Sequence, residues 1–205
     1  MIRNISVAAL LLIAGMLQSF SVKEAYKIGD TVADFSLKNI DGRMVSMDGY
    51  VHAKGLIIVF TCNHCPFAKL YQERLNLLNK KYFNRGFPVL AISSNDADAV
   101  PEDSYEQMVK RAKEKGYTFP YLYDQTQDVA RAFGAVKTPQ AYVVSKENGH
   151  WVLKYAGAID DNGAEPDKAK NKYVENAVNA LLQNKAVVVA TAKSVGCGIK
   201  WKGGK

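Results

Sequence analysis

The sequence has few cysteines, no concentrated basic run and no internal repeat, and each shortage excludes a class of protein. Three cysteines in 205 residues cannot form the dense disulfide framework of a secreted miniprotein. The formal charge of +7 arises from basic residues that alternate with acidic ones, so we expect no nucleic-acid partner. Hydrophobic residues make up 48% and charged residues 23%, which excludes a disordered or collagen-like chain. The length fits one globular domain with short extensions.

The longest apolar run in the sequence is shorter than a membrane-spanning helix requires. Residues 7–17 read VAALLLIAGML, whereas a helix that crosses a bilayer core needs about 20 apolar residues. A positive charge precedes this run, and small residues ending at Ser21 follow it. These are the parts of a secretory signal peptide, so we predict a signal at 1–21 and a domain at 22–205 with a C-terminal tail from about residue 184. We expect the protein to be exported to a periplasmic or other extracytoplasmic location, or membrane-tethered if the signal stays uncleaved.

The rest of the chain alternates between strand and helix patterns. Residues 55–60 and 89–93 are continuous apolar runs of the kind that form strands buried on both faces. Between them, residues 66–83 place apolar side chains, among them Phe67 and Leu70, at the spacing of one helix face. The pattern predicts an α/β fold with one mixed central sheet flanked by helices. Further predicted elements are an N-terminal β-hairpin turning at Asp41-Gly42, helices at 104–115, 126–133 and 171–182, and a hairpin turning at Asn148-Gly149.

Two cysteines lie where the first buried strand should meet its helix. The stretch Thr61-Cys62-Asn63-His64-Cys65-Pro66 leads into that helix. A helix N-terminus carries unpaired N–H groups and partial positive charge, which stabilise a nearby thiolate. We expect Cys62 to be exposed at the loop tip and to attack, and Cys65 to resolve the mixed disulfide. An imidazolium at His64 would stabilise the thiolate further, with Thr61 and Pro66 as supporting residues. The alternative is a buried inert pair or a fixed structural disulfide.

A proline marks the entry to a later strand. Thr138-Pro139 precedes the predicted strand at 141–144. A proline in this position cannot donate to the sheet and often marks a bend. A cis bond here would aim backbone groups at a neighbouring site, and the alternative is an ordinary trans loop proline.

The third cysteine stands apart in the sequence. Cys197 lies between Gly196 and Gly198, a setting that predicts a flexible and accessible thiol. It either has no role or forms a third redox centre that resolves or relays with Cys62.

The chain resembles thioredoxin-fold proteins of the redoxin (AhpC/TSA-like) group, which holds peroxiredoxins and periplasmic thiol–disulfide oxidoreductases. The resemblance spans about residues 27–201 and implies a thioredoxin-like fold whose N-terminal hairpin is an extension. A subgroup described as peroxiredoxin-like is similar in the stretch FTCNHCPFAKLYQ and in the tail GCGIKW. The motifs that carry the resemblance are residues 29–37 with Asp41-Gly42 for the hairpin, Cys62 to Cys65 for the active site and Thr138-Pro139 for the cis-proline loop.

The resemblance has two departures. The peroxiredoxin pattern Pro-x-x-x-Thr-x-x-Cys would make Cys65 peroxidatic, but Ile58 and Cys62 replace its proline and threonine. Thioredoxins carry a buried acid on the strand before the site, and residues 56–60 contain none. A water, His64 or a more distant acid must then accept the proton of the second cysteine.

The sequence therefore predicts an exported thiol–disulfide oxidoreductase. Its partners would be protein or small-molecule thiols and disulfides, together with an upstream redox partner. No cofactor and no resident metal are expected. Two alternatives stay open: a peroxiredoxin-like thiol peroxidase, and a copper(I)-binding chaperone that uses Cys62, His64 and Cys65 with Cys197 as a fourth ligand.

Overall fold

The computed structural model describes residues 24–204, so the predicted signal peptide at 1–21 lies outside the described residues. Within the described part, no helix is both long and apolar enough to cross a membrane. An eight-stranded mixed sheet forms the centre, as the sequence predicts. Its strands are β1 (Thr31–Val32), β2 (Ser36–Asn39), β3 (Met44–Ser46), β4 (Gly55–Phe60), β5 (Val89–Ser93), β6 (Tyr121–Tyr123), β8 (Gln140–Glu147) and β9 (His150–Gly157), while β7 (Lys137–Thr138) and β10 (Cys197–Gly198) form a separate small sheet.

The strand order across the large sheet is β1-β9-β8-β4-β5-β6-β2-β3. The pairs β4–β5 and β5–β6 are parallel, and the other pairs are antiparallel. The predicted N-terminal hairpin is β2 with β3, and the predicted later hairpin is β8 with β9. Parallel strands end at one edge of the sheet, so the loops after β4 and β5 lie side by side.

In residues 24–204, four α-helices connect the strands, and each begins within a few residues of its predicted start. Leu75 and Leu78 of the first helix are buried against the sheet, but Phe67 and Leu70 are 43% and 48% exposed. The prediction that the latter two belong to the buried face is therefore wrong, because Ala68, Tyr71 and Gln72 form the buried face of this part of the helix. The helices are α1 (Pro66–Tyr82), α2 (Tyr105–Glu114), α3 (Asp128–Phe133) and α4 (Tyr173–Leu182), and short 3-10 helices occupy Phe83–Arg85, Pro101–Asp103 and Pro166–Lys168.

The core has two halves, one on each face of the sheet. Ile57 and Val59 of β4 point to one half, and Ile58 and Phe60 point to the other. The first half contains buried side chains of α1, α2 and α4, and the second contains those of α3 and the N-terminal hairpin. Because β4 is buried on both faces, packing fixes the position of the strand end from which the following loop starts.

The C-terminal tail returns to the same sheet edge and is well anchored. β10 pairs antiparallel with β7, with Cys197 opposite Thr138. A Cβ at Gly196 would meet the Thr138 carbonyl oxygen at 2.2 Å, so only glycine permits this approach. Ile199 is buried. The expectation of a flexible setting for Cys197 is therefore wrong, because pairing and burial hold both sides of this residue.

Candidate active site

Cys62 and Cys65 lie at the junction of β4 and α1, as the sequence predicts. Cys65 is the N-cap residue of α1, and Pro66 occupies the first turn. Thr61 continues the strand and donates its N–H to the Ile92 carbonyl oxygen at 2.8 Å. Both cysteines are free thiols. Cys62 is only 2% exposed and Cys65 is 0% exposed. The expectation that Cys62 is exposed at a loop tip is wrong, because the proline loop covers it.

That covering loop contacts both sulfur atoms through one residue. The Thr138–Pro139 bond is cis. The Sγ of Cys62 lies 3.3 Å from Oγ1 of Thr138, and the Sγ of Cys65 donates to the Thr138 carbonyl oxygen at 3.2 Å. Thr138 therefore offers a hydroxyl to the first sulfur and an acceptor to the second. The sequence predicts that this loop adjoins the cysteines, and the structure brings them together.

Two hydrogen bonds have opposite effects on which cysteine sulfur carries the proton: the one between Cys62 and Cys65, and the one from Cys65 to Thr138. A hydrogen bond from the Cys62 thiol lowers the pKa of Cys65 to about 4, against the opposing effect of burial. The same hydrogen bond, followed by burial and by the charge of Asp103, raises the pKa of Cys62. In contrast, the contact of Cys65 with the Thr138 carbonyl places the proton on Cys65. The pair thus gives up one proton readily, and either sulfur can hold the resulting charge.

The helix N-terminus acts on the second cysteine. The backbone N–H of Ala68 donates to Cys65 and contributes to its lowered pKa. From the sequence we expect this effect on the first sulfur, that of Cys62, but the N-cap position belongs to Cys65. The first turn of a helix stabilises the anion nearest to its free N–H groups, which here is the sulfur of Cys65.

A buried carboxylate organises the loop between the cysteines. Asp103 is 0% exposed, and its Oδ1 accepts the backbone N–H groups of Asn63 at 2.6 Å and His64 at 3.1 Å. Its Oδ2 lies 2.5 Å from Nδ1 of His64 and accepts the amide of Asn95 at 2.7 Å. One carboxylate therefore fixes both the backbone of the loop and the orientation of the imidazole.

Asp103 and Asn95 are site residues that the sequence does not predict. In the sequence, Pro101-Glu102-Asp103 has the acidic composition of a helix start. In the structure it is a 3-10 helix, and the side chain of Asp103 binds the loop between the cysteines. A signal exists for Asn95: it follows β5, and the ends of parallel strands converge at one edge. No comparable signal identifies Asp103, because its burial depends on how the connection to α2 crosses that edge.

The same groups form a set of potential metal donors. Ligand atoms of Cys62, His64 and Asp103 all lie within 4.8 Å of one another. Zinc accepts sulfur, nitrogen and oxygen donors of these types. Here, however, Nδ1 of His64 and the carboxylate of Asp103 bind each other. The arrangement therefore favours a hydrogen-bonded acid–base pair beside the Cys62 sulfur.

Cys197 contacts the site through Cys65. It packs against the cluster that Cys62 and Cys65 form. Both its thiol and its backbone N–H are hydrogen-bonded to the sulfur of Cys65 and contribute to the lowered pKa of that residue. Burial raises the pKa of Cys197 to about 11, and the neighbouring Cys65 adds to the rise. The sequence-based hypothesis pairs Cys197 with Cys62, whereas the contact in the structure is with Cys65.

A groove opens beside the cysteines. It has a volume of about 360 Å³ and runs between the start of α1 and the proline loop. Phe67 and Leu70 line one wall, and Pro139, Ile159 and Val195 line others. The apolar side chains that the helix leaves uncovered therefore face a space next to the site.

The sheet order, the dithiol at the β4–α1 junction and the cis-proline loop define a thioredoxin-like redox domain. The chain belongs to the AhpC/TSA family, whose model matches residues 28–160. It is similar to the solved structure of an uncharacterized conserved protein from Geobacillus kaustophilus: the identity is 38% and the TM-score 0.79, over 87% of this chain and 94% of that one.

Two further similar proteins are a thiol-disulfide oxidoreductase and a peroxidoxin. The thiol-disulfide oxidoreductase ResA of Geobacillus thermodenitrificans is 27% identical over 127 residues, which cover 62% of this chain and 68% of ResA. The crystal structure of peroxidoxin BcpB from Mycobacterium tuberculosis is 19% identical, with a TM-score of 0.56 over 77% of this chain and 97% of that one. The second likeness supports the fold alone, and the predicted fold is confirmed.

Proposed function

We propose that this protein is a thiol–disulfide oxidoreductase in which Cys62 attacks and Cys65 resolves. The observation that carries the proposal is the pair of free, contacting thiols that Thr138 and the helix N-terminus hold in two different hydrogen-bonding environments. Membership of the AhpC/TSA family and the similarity to ResA support it. Different environments suit two thiols that act in sequence.

The reaction is a two-step exchange. As the shared proton moves to Cys65, the Cys62 thiolate forms and attacks one sulfur of a client disulfide. The client S–S bond breaks, and its departing sulfur takes up a proton. Cys65 then loses its proton and attacks the Cys62 sulfur, which releases the second client thiol and leaves a Cys62–Cys65 disulfide. The client gains two electrons and the dithiol loses two, and the reverse sequence oxidises a client.

His64 and Asp103 fit a proton-handling role in this exchange. They lie beside the Cys62 sulfur, which is where the proton must leave and where the client sulfur departs. The carboxylate holds the ring in place through its contact with Nδ1. This pair takes the place of the acid that thioredoxins carry on the preceding strand, and Asp103 acts through the position of His64.

The groove beside the cysteines gives the client a place to bind. Its walls combine exposed apolar side chains of α1 with Pro139 of the proline loop. An extended peptide that carries a disulfide could bury apolar residues here while its sulfur approaches Cys62. The proposal includes export, with a signal at 1–21 and a domain at 22–205, because disulfide exchange with clients suits an oxidising compartment.

The decisive experiment is turnover of a disulfide substrate such as insulin by the full chain and two variants. Cys62→Ser should abolish turnover, and Cys65→Ser should accumulate mixed disulfides with the client, visible by mass spectrometry. Full activity of Cys62→Ser would contradict the mechanism. Rapid peroxide consumption without disulfide exchange would favour the thiol peroxidase instead, and tight copper(I) binding against a competing chelator would favour the chaperone.

A further inference from the structure

Three sulfurs meet at one point of this site, and Cys65 is the central one. Cys62 and Cys197 both hydrogen-bond to Cys65, and Cys197 packs against the cluster that the other two form. The strand register fixes this arrangement, since Cys197 lies opposite Thr138, whose hydroxyl and carbonyl contact the other two cysteines. A sulfur with two sulfur neighbours can exchange a disulfide between them.

We propose that Cys65 forms alternative disulfides with Cys62 and with Cys197, so that the C-terminal tail carries the oxidised state from the buried pair to a partly exposed sulfur. This inference rests on the proposed function, because that function supplies the Cys62–Cys65 disulfide. Cys62 is buried, whereas Cys197 retains partial exposure. An external thiol can therefore reach the disulfide through the tail.

The exchange step is balanced and needs no added oxidant. The Cys197 sulfur, once deprotonated, attacks Sγ of Cys65 in the Cys62–Cys65 disulfide. A Cys65–Cys197 bond forms, the Cys62–Cys65 bond breaks, and the electron pair leaves with Cys62, which takes up the proton that Cys197 gave up. An external thiol then attacks Cys197, and a second thiol completes the reduction, which yields one external disulfide and the reduced protein.

The charges around Cys197 favour its attack on Cys65 only after Cys62 and Cys65 have formed a disulfide. In the reduced protein, burial raises the pKa of Cys197. The hydrogen bond with Cys65 and the negative charge on Cys65 raise it further. A disulfide at Cys65 removes that charge, while the nearby Lys137 and Lys200 still lower the pKa of Cys197. Cys197 therefore becomes more nucleophilic only after the pair is oxidised.

The tail is anchored as this role requires. The N–H of Lys200 donates to Oδ1 of Asn95 at 2.8 Å, and the amide of Asn95 binds Asp103 of the active site. The side chain of Gln127 donates to the Lys200 carbonyl at 2.7 Å. On the other side of Cys197, Gly196 allows the close approach to Thr138. Held at both sides, the Cys197 sulfur stays within reach of Cys65.

The test maps disulfides in the full chain. The protein is treated with limiting oxidised glutathione, quenched with acid and alkylating agent, and analysed by peptide mass spectrometry. Both the Cys62–Cys65 and Cys65–Cys197 disulfides are expected in the unaltered protein, and Cys65–Cys197 is expected to dominate in Cys62→Ser. If Cys62→Ser gives only glutathione adducts of Cys65, and the unaltered protein gives only Cys62–Cys65, the inference is overturned while the proposed function stands. If no Cys62–Cys65 disulfide forms at all, the proposed function fails.

Two glycine variants supply a matched pair. An added methyl group at Gly196 would collide with the Thr138 carbonyl, whereas at Gly198 its nearest neighbour is 4.0 Å away. Gly196→Ala should reduce the yield of Cys65–Cys197 about 100-fold by displacing the tail, as misplacement of a reacting group by about 1 Å does. It should still form Cys62–Cys65. Gly198→Ala should form both disulfides, and equal yields of Cys65–Cys197 in the two variants would contradict the proposal.

Discussion

The carboxylate of Asp103 lies 2.5 Å from Nδ1 of His64, although 39 residues separate the two in the chain. The same carboxylate accepts the backbone N–H groups of Asn63 and His64. The loop between the two cysteines is therefore held by a buried charge that comes from a different connection of the fold. A buried charge of this kind persists only where hydrogen bonds compensate it.

Replacing this charge should change both activity and thiol acidity. Asp103→Asn keeps the shape but removes the negative charge that helps to raise the pKa of Cys62. We expect the pKa of Cys62 to fall, measured by thiolate absorbance in a Cys65→Ser, Cys197→Ser background. We also expect kcat/KM for insulin reduction to fall about 100-fold, because the imidazole loses its positioning group.

Asp98→Asn is the matched control for this change. Asp98 is exposed on the same connection between β5 and α2. Its replacement should leave kcat/KM and the thiolate titration unchanged. Equal losses in the two variants would mean that Asp103 supports only the fold, and an unchanged pH profile in Asp103→Asn would exclude a role in proton transfer.

The hydroxyl of Thr138 should make the first cysteine more reactive. The hydrogen bond with Cys65, burial and the charge of Asp103 raise the pKa of Cys62, and the contact with the Thr138 hydroxyl partly offsets that rise. Thr138→Val removes the hydroxyl and keeps the branched shape, so the rate of Cys62 alkylation at neutral pH should fall. Thr138→Ser retains the hydroxyl and should react close to the original rate, because hydrogen bonding to the charged form favours that form. A slower Thr138→Ser and an unaffected Thr138→Val would contradict this account.

The low pKa of Cys65 predicts how the stability of the reduced protein depends on pH. Its pKa is about 4 in the folded protein and 9.0 for an ordinary cysteine, so folding favours the thiolate. The contribution to stability is fully present above pH 9.0, shrinks as the pH falls and is lost below about pH 4. Denaturant unfolding of the reduced protein, compared with Cys65→Ser between pH 4 and 8, checks this. A difference that stays constant over that range would show that Cys65 ionises normally.

The same acidity predicts a relatively oxidising disulfide. A stabilised thiolate favours the reduced form of the pair, so the reduction potential should lie above the value of about −270 mV typical of thioredoxin. Equilibration with glutathione in a Cys197→Ser background measures the Cys62–Cys65 pair alone. A potential at or below about −270 mV would indicate a reductant whose thiolate gains no net stabilisation.

Much of the fold follows from local patterns in the sequence. The apolar runs at 55–60 and 89–93 match β4 and β5 residue for residue, because a strand buried on both faces needs an unbroken apolar segment. The helix after Pro66 also begins where predicted. The two cysteines are therefore placed at the strand–helix junction by the order of the residues alone.

Other features depend on contacts between distant segments, which no local pattern encodes. Phe67 and Leu70 carry the spacing of a buried face, but they lie on the side of α1 that lines the groove, while Ala68 and Gln72 form its buried side. The covering of Cys62 depends on the proline loop, which lies 76 residues away.

The sequence by itself determined the alternation of strands and helices, the position of Cys62 and Cys65 and the presence of a proline loop, because these depend on neighbouring residues. Only the tertiary structure decided that Asp103 would serve the site and that Cys197 would contact Cys65. Both results depend on where crossing connections and the returning tail meet the sheet edge. The sequence alone therefore identifies the pair of cysteines at this site, whereas the packing of distant segments determines their environment.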